Sequence, residues 1–188
     1  MKQFIKPQPT LIIANGEKPS IELVKIYQQH AHMMLALDGA IDWLLEHKII
    51  PNMVIGDMDS ARAVGIDGVK RVSVPDQNSN DLEKGLRYCL DQGWREVTIM
   101  GAFGLRIDHF LTNLYVLKKF APTMSINMID AHQSAFICPL NKEISFNNLK
   151  NSFISFFPLS EQVGPITSTG VAYPLHGEML SLHERIGT

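Results

Sequence analysis

The chain has 188 residues, of which 45% are hydrophobic and 19% charged, and its formal net charge is −2. This composition supplies a core for one ordinary domain or two small ones and excludes an intrinsically disordered chain. The slightly acidic balance argues against a nucleic-acid partner, and no apolar run reaches the length of a membrane span.

The first residues, MKQFIKPQPT, lack the apolar segment of a signal peptide. Cys89 and Cys138 lie far apart without the spacing of metal ligands. They are predicted to be buried thiols in a reducing compartment. We therefore predict a cytoplasmic protein with no membrane partner.

Residues 1–130 alternate short apolar runs with helical patterns. The predicted strands are LIIA (11–14), MMLAL (33–37), MVI (53–55), RVSV (71–74), EVTIM (96–100) and SINMID (125–130). The predicted helices cover residues 21–31, 40–48, 81–92 and 107–120. Ser20 is a favourable N-cap for the first helix, and Gly93 ends the third. This alternation predicts a mostly parallel, Rossmann-like α/β sheet flanked by helices.

Residues 131–188 have a different sequence pattern. They contain five short β-type runs separated by Asn, Pro and Gly, namely AFICPL, KEISF, NSFISFFPL, ITSTGVAYPL and EMLSL. We predict a small antiparallel β domain that is sandwich-like but has few strands for a closed sandwich. The sequence thus predicts two domains, an α/β domain over 1–130 and a β-rich domain over 131–188.

Polar and glycine residues follow five of the six predicted strands. They are Asn15, Gly16, Asp38, Gly39, Gly56, Asp57, Asp59, Ser60, residues 75–81, Gly101, Gly104, Arg106 and Asp108. In an open α/β sheet, ligands bind at the carboxyl ends of the parallel strands. We expect the ligand site at this edge.

Asp57 and Asp59 stand two positions apart directly after a predicted strand. Two like charges this close are unfavourable unless a positive group lies between them, and Mg²⁺ is commonly held by one or two carboxylates plus phosphates. The alternative is a turn followed by a helix cap. Asp81 has the same two interpretations, a helix N-terminal charge or a ligand, but Lys84 shares its helix face.

Arg106 and Asp108 begin the fourth predicted helix, after the glycines of GAFG. A guanidinium at a helix N-terminus suits phosphate oxygens. The alternative is that Arg106 pairs with Asp108. His109 is predicted to be a packed, hydrogen-bonded histidine.

Four segments occur in a fixed order: DGA (38–40), GDMDS (56–60), DQNSNDLEKGL (76–86) and GLRIDHFLTNL (104–114). Together they resemble the thiamine pyrophosphokinase family, whose members show ADG, GDxDS, D(Q/K)xxTDxxK and GGRxDH…N in this order. The later stretch STGVAYPL (168–175) is similar to the GLKYPL strand of the family's second domain.

The resemblance implies a thiamine diphosphokinase that transfers pyrophosphate from ATP to the hydroxyethyl group of thiamine, giving thiamine diphosphate and AMP. It implies Asp57, Asp59 and Asp81 as ligands of Mg²⁺. Lys84 and Arg106 would stabilise the charge that develops as AMP leaves. The other implied substrate-binding or cofactor-binding residues are Asn15, Gly16, Asp38, Gln77, Asn78, Asn80 and Asp108. A homodimer is implied as well, with the β-rich domain contributing thiamine binding and dimer contacts.

Three departures accompany the resemblance. Asn80 and Leu105 stand where the family has Thr and Gly. The family pattern also continues with a Ser-Asn pair and further β strands, so we expect a C-terminus shorter than the family's. Three alternatives share the acidic edge: a pterin pyrophosphokinase-type transfer to another alcohol, a Mg²⁺-dependent phosphohydrolase, and a nucleotide-binding protein inactive through C-terminal loss.

Overall fold

Seven strands form the main sheet in a computed structural model that describes residues 9–57, 66–147 and 152–183. They are β1 (Thr10–Ile13), β2 (Met33–Leu37), β3 (Met53–Gly56), β4 (Lys70–Ser73), β5 (Glu96–Met100), β6 (Ser125–Ile129) and β7 (Ser134–Phe136). Their order is β4-β3-β2-β1-β5-β6-β7, in which the first six pair in parallel and β7 runs antiparallel to β6. The predicted α/β fold class is confirmed.

Four helices of the described chain flank this sheet. They are α1 (Ile21–His30), α2 (Ala40–Glu46), α3 (Asp81–Asp91) and α4 (Ile107–Phe120). As predicted, α1 has Ser20 as its N-cap, whose hydroxyl accepts a hydrogen bond from the Leu23 amide at 3.1 Å. Gly93 adopts a φ of +77° just after α3, which terminates the helix there.

The helices cover both faces of the sheet, because successive strand side chains point to opposite faces. Ile13 of β1 packs in a core with Val24 of α1, whereas its neighbour Ile12 packs with Leu86 of α3 and Leu117 of α4. All five side chains are fully or almost fully buried. Each such burial contributes about 1.5–3 kcal/mol. A sheet covered on both sides explains why its central strands read as continuous apolar runs.

Two glycines bring the ends of the central strands β1 and β5 together. The Gly16 amide donates to the Gly101 carbonyl at 2.8 Å. A Cβ on Gly16 would lie 2.4 Å from that oxygen, and a Cβ on Gly101 would lie 2.5 Å from the Ala14 carbonyl oxygen. The loops therefore pass at a distance that only glycine permits. Since the order of strands reverses here, this is the crevice where open α/β sheets bind ligands.

The chain divides into two compact units, Met1–Pro139 and Leu140–Thr188, where the sequence predicts a boundary at 130. The first two residues of AFICPL lie in β7, which pairs with β6 and so extends the main sheet of the first unit. In the second unit, β8 (Gln162–Thr167) and β9 (His176–Ser181) form an antiparallel pair. The predicted small antiparallel sheet is confirmed.

Of the five β runs predicted over residues 131–188, not all are strands in the residues that the structure describes. KEISF contains no strand, and the described part of NSFISFFPL contains only an isolated bridge. Residues 168–175, predicted as β structure, form the loop between β8 and β9. This loop is closed by hydrogen bonds between Ser168 and Leu175, which include one from the Leu175 amide to the Ser168 hydroxyl.

The two cysteines differ in exposure. Cys89 is buried as predicted, but Cys138 is exposed, which corrects the prediction for that residue. Burial raises the pKa of the Cys89 thiol to about 12. No helix within the described ranges is long and apolar enough to cross a membrane.

Candidate active site

A buried lysine lies between two of the predicted ligand carboxylates. The Nζ atom of Lys84 is 3.2 Å from Oδ1 of Asp81 and 4.0 Å from Oδ2 of Asp57. The Lys84 side chain is only 4% exposed, whereas the two carboxylates are 41% and 24% exposed. We call these three residues the Lys84 cluster. Its cation faces the protein and its carboxylates reach the surface of the edge.

The positions of β3 and α3 bring the Lys84 cluster together. Asp57 directly follows β3, and both Asp81 and Lys84 lie in the first turn of α3. The next residue, Gly85, permits close packing of the helix on β2, since a Cβ there would lie 2.7 Å from Cδ2 of Leu37. The carboxyl end of the sheet and the N-terminus of a helix thus meet at the cluster.

Asp38 is a second buried polar group at this edge. It follows β2, is 6% exposed, and adopts a φ of +44°. A Cβ on Gly56, the residue before Asp57, would lie 3.0 Å from Cβ of Asp38, so the two strand ends touch. The Oδ1 atom of Asp38 is buried without a hydrogen-bond partner among the described residues. A buried carboxylate oxygen is stable only with a compensating donor or cation, and a ligand at this edge can supply either.

Asn80 is the N-cap of α3. Its Oδ1 accepts a hydrogen bond from the Glu83 amide at 2.8 Å, and its Nδ2 donates to Oδ1 of Asn113 at 3.2 Å. Asp81 is therefore not the cap, and its carboxylate is left to contact Lys84. Asn113 belongs to the site architecture but is absent from the predicted set. The only signal for it in the sequence is its place in GLRIDHFLTNL.

The loop before α3 is shaped by Asp76, another residue that the prediction missed. Its carboxylate accepts hydrogen bonds from the Asn78 amide at 2.9 Å and from the Ser79 hydroxyl at 2.6 Å. These bonds lower the pKa of Asp76 below its usual value. Gln77 and Asn78 are exposed on this loop.

Arg106 and Asp108 bind each other across two parallel hydrogen bonds. Nε of Arg106 is 3.1 Å from Oδ1 of Asp108, and Nη2 is 2.5 Å from Oδ2. The guanidinium holds the pKa of Asp108 at about 2, and the carboxylate raises the pKa of Arg106. Both side chains are well exposed. His109 is exposed as well, which corrects its predicted packing.

Asn15 and Gly16 lie at the other part of the edge, where β1 meets β5. Oδ1 of Asn15 accepts a hydrogen bond from Nζ of Lys18 at 2.6 Å. The residues directly after Gly16 line a cleft in the first unit. Its lining residues are Glu17, Lys18, Pro19, Ser20, Gly101, Phe103, Asp130, Ala131 and His132.

Asp59 lies outside the described residues. Within the described ranges, no three His, Cys, Asp or Glu side chains are grouped closely enough to hold a metal ion. Asp57 and Asp81 are therefore the members of the predicted ligand set whose positions are known.

Comparison with known proteins decides the family. Residues 24–129 match the family described as thiamin pyrophosphokinase, catalytic domain. The chain belongs to the thiamin pyrophosphokinase family. The predicted resemblance is confirmed, and the family's catalytic-domain match contains the whole Lys84 cluster but not Asn15.

Curated relatives share most of their length with this thiamin pyrophosphokinase family member. Thiamine pyrophosphokinase of Bacillus subtilis is 28% identical over 91% of this chain and 83% of its own. Thiamin pyrophosphokinase 1 of Caenorhabditis elegans is 25% identical over 93% and 77%.

Solved structures of the thiamin pyrophosphokinase family have the same fold. The B. subtilis thiamine pyrophosphokinase structure is 28% identical, covers 93% of this chain and 84% of its own, and has a TM-score of 0.73. The thiamin pyrophosphokinase structure from Geobacillus thermodenitrificans, 23% identical, covers 92% and 82% with a TM-score of 0.78.

Proposed function

We propose that this chain is an ATP-dependent thiamine pyrophosphokinase, which transfers pyrophosphate from ATP to the hydroxyethyl oxygen of thiamine and yields thiamine diphosphate and AMP. Membership of the thiamin pyrophosphokinase family supports the substrates. The observation that carries the chemistry is the Lys84 cluster beside Asp38, because it combines a buried cation with surface carboxylates at the ligand-binding edge.

The donor set of the edge fits Mg²⁺. Asp57 and Asp81 are exposed enough to accept a ligand, and Asp38 has a buried oxygen that lacks a donor. We propose that Asp57, Asp59 and Asp81 hold the ion and that Asp38 binds its waters. Bound Mg²⁺ would neutralise phosphate charge, which is its usual contribution to phosphoryl transfer.

The side chains of the edge would then orient the phosphates and balance their charge. Lys84 is held in place by burial, so it offers a fixed cation that needs no reorganisation during the reaction. Arg106 is exposed and would exchange Asp108 for phosphate oxygens, since its planar fork fits either anion. A carboxylate of the edge would accept the proton of the thiamine hydroxyl.

We further propose a position for the nucleotide. Asn15 and Gly16 would border its nucleoside end at the β1–β5 crevice, with Gln77, Asn78, Asn80 and Asp108 positioning the phosphates or their waters. The location of Gly16 at the reversal of strand order supports this assignment.

For residues 140–188 we propose thiamine binding and homodimer contacts. Several large apolar side chains are exposed there, which is unusual for a surface that faces only water. They include Leu140, Phe153, Phe157 and Tyr173, and Phe153 is fully exposed. A second copy of the chain would cover them.

Product analysis tests the proposed reaction. The purified chain is incubated with Mg-ATP alone, with added thiamine, and with added hydroxymethylpterin. We expect AMP and thiamine diphosphate to appear together, and only with thiamine. ADP and phosphate formed without an acceptor would indicate a phosphohydrolase. AMP formed only in the sample with hydroxymethylpterin would indicate that a pterin is the acceptor. Intact ATP in every sample would contradict the proposed enzymatic activity.

A further inference from the structure

The side chains of Asn80, the N-cap of α3, and Asn113, in α4, form a partly buried series of hydrogen bonds. Nδ2 of Asn80 donates to Oδ1 of Asn113 at 3.2 Å. Nδ2 of Asn113 then donates to the Ala102 carbonyl, just after β5, at 3.0 Å. Asn113 is 9% exposed. These hydrogen bonds therefore connect α3, α4 and the sheet.

The chemistry of the two amides fixes their orientation. Oδ1 of Asn80 already accepts the Glu83 amide, so only its NH₂ group can face Asn113. If the Asn113 amide were flipped, it would direct NH₂ toward NH₂ and its oxygen toward the Ala102 carbonyl. Both contacts would be repulsive, and buried polar groups would lose their partners.

The hydrogen bond from Asn80 to Asn113 holds the N-cap residue of α3 in place. Asn80 caps the helix, Asp81 is the next residue, and Lys84 follows within the same turn. A shift of the cap would move both groups relative to Asp57, which is carried by β3. We propose that Asn113 is a positioning residue for the Lys84 cluster and acts through Asn80. The kinetic part of this inference rests on the proposed pyrophosphoryl transfer.

A second connection between α3 and α4 is weaker. Nζ of Lys119 is 2.6 Å from Oε1 of Glu83, but the lysine side chain is 58% exposed. An exposed ion pair contributes about 0–1 kcal/mol and is screened by salt. The hydrogen bonds of Asn80 and Asn113 join uncharged amides, which salt does not screen, and Asn113 is buried, so we assign the positioning to them.

A double-mutant cycle tests the link. Asn80→Ser keeps an N-cap oxygen but lacks the amide that reaches Asn113, and Asn113→Ala removes the other partner. We expect each variant to lower kcat about tenfold, as for the loss of one hydrogen bond, with KM for thiamine unchanged within about twofold. Both variants break the Asn80–Asn113 hydrogen bond, and Asn113→Ala also removes the bond to the Ala102 carbonyl. The double variant should therefore be no slower than the slower single variant. Multiplication of the two effects would overturn the proposal.

Hydrogen exchange of the unliganded protein gives a readout that does not depend on turnover. We expect faster amide exchange in residues 81–86 for Asn113→Ala than for wild type. As the matched control, Asn52→Ala removes an amide that accepts from the Met34 backbone at 2.8 Å, before β3. It should lower stability without changing kcat or the exchange of 81–86.

The two readouts separate this inference from the proposed function. If wild type forms no thiamine diphosphate, the proposed function fails, and the exchange measurement still decides the role of Asn113. Unchanged exchange in residues 81–86 of folded Asn113→Ala overturns the positioning role. If Asn113→Ala does not fold, the same comparison is made with Asn80→Ser, and the same result overturns it.

Discussion

Lys84 shows at the residue scale how the acidic edge avoids electrostatic repulsion. An almost fully buried ammonium group is costly unless it is paired, and two carboxylates at one edge repel each other. Asp57 and Asp81 flank the Lys84 Nζ atom at 4.0 and 3.2 Å. The ammonium group is therefore paired, and its charge offsets the repulsion between the two carboxylates. The two carboxylates are 24% and 41% exposed, whereas the lysine side chain is 4% exposed.

Asp57→Asn should remove pyrophosphoryl transfer while the protein stays folded. The substitution keeps the shape of the side chain and leaves Asp81 to pair with Lys84. We expect kcat to fall at least about 100-fold, since one charged group of the proposed transition-state machinery is lost. Thiamine diphosphate formation and the circular dichroism melting curve measure the two effects.

Asp91→Asn is the matched control for this prediction. Asp91 is exposed at the end of α3, and the same substitution there should leave kcat unchanged. Near-normal turnover in Asp57→Asn would contradict the assignment of Asp57 to the site.

The ion pair of Arg106 and Asp108 predicts a specific pH response. The pKa of Asp108 in the folded protein is about 2, below the value of about 3.9 in an unfolded chain. The pair therefore adds stability above about pH 4, and this contribution is lost as the pH falls through about 2. Arg106→Gln should raise the pKa of Asp108 toward 3.9.

Carboxyl-carbon NMR titration follows Asp108 directly. Arg87→Gln serves as a control, because Arg87 pairs with Glu83 and Asp76 and not with Asp108. A pKa of Asp108 that stays near 2 in Arg106→Gln would show that another group depresses it.

At the element scale, the approach of β1 to β5 determines the shape of the crevice. Backbone atoms of the two loops touch at Gly16 and Gly101, where no side chain fits. Gly101→Ala should destabilise the protein by about 1–3 kcal/mol, since the new Cβ would lie 2.5 Å from a carbonyl oxygen at a φ of +73°.

Urea unfolding measures this cost, and Gly68→Ala provides the comparison. Gly68 also has a positive φ, but nothing lies within 4 Å of an added Cβ. Gly68→Ala should therefore cost only the free energy of placing a non-glycine residue at a positive φ. Equal destabilisation of the two variants would show that the close approach is not limiting.

For the whole molecule, the exposed apolar side chains of residues 140–188 predict self-association. Light scattering should give twice the mass of one chain. Phe153→Ser should shift the equilibrium toward the monomer, because it removes a fully exposed phenyl ring that the second copy is proposed to bury. Ile26→Ser, at a half-exposed apolar position of α1, should leave the mass unchanged. A wild-type monomer at all concentrations would contradict the homodimer.

The α/β class and most element positions could be predicted from the amino-acid sequence. β2, β5 and α4 begin and end at the predicted residues, because apolar periodicity, caps and glycines act over a few neighbouring residues. The ordered motifs likewise identified the family. The rule that ligands bind at carboxyl strand ends then located the edge without coordinates.

Which side chains meet at that edge could not be predicted from the sequence and is seen in the folded structure. It paired Lys84 with Asp57 as well as Asp81, joined Asn80 to Asn113, and chose the pairing of Arg106 with Asp108 from two open alternatives. It also made residues 168–175 a loop although their composition favours strand. These outcomes depend on contacts between segments distant in sequence, and local pattern carries no information about such distances.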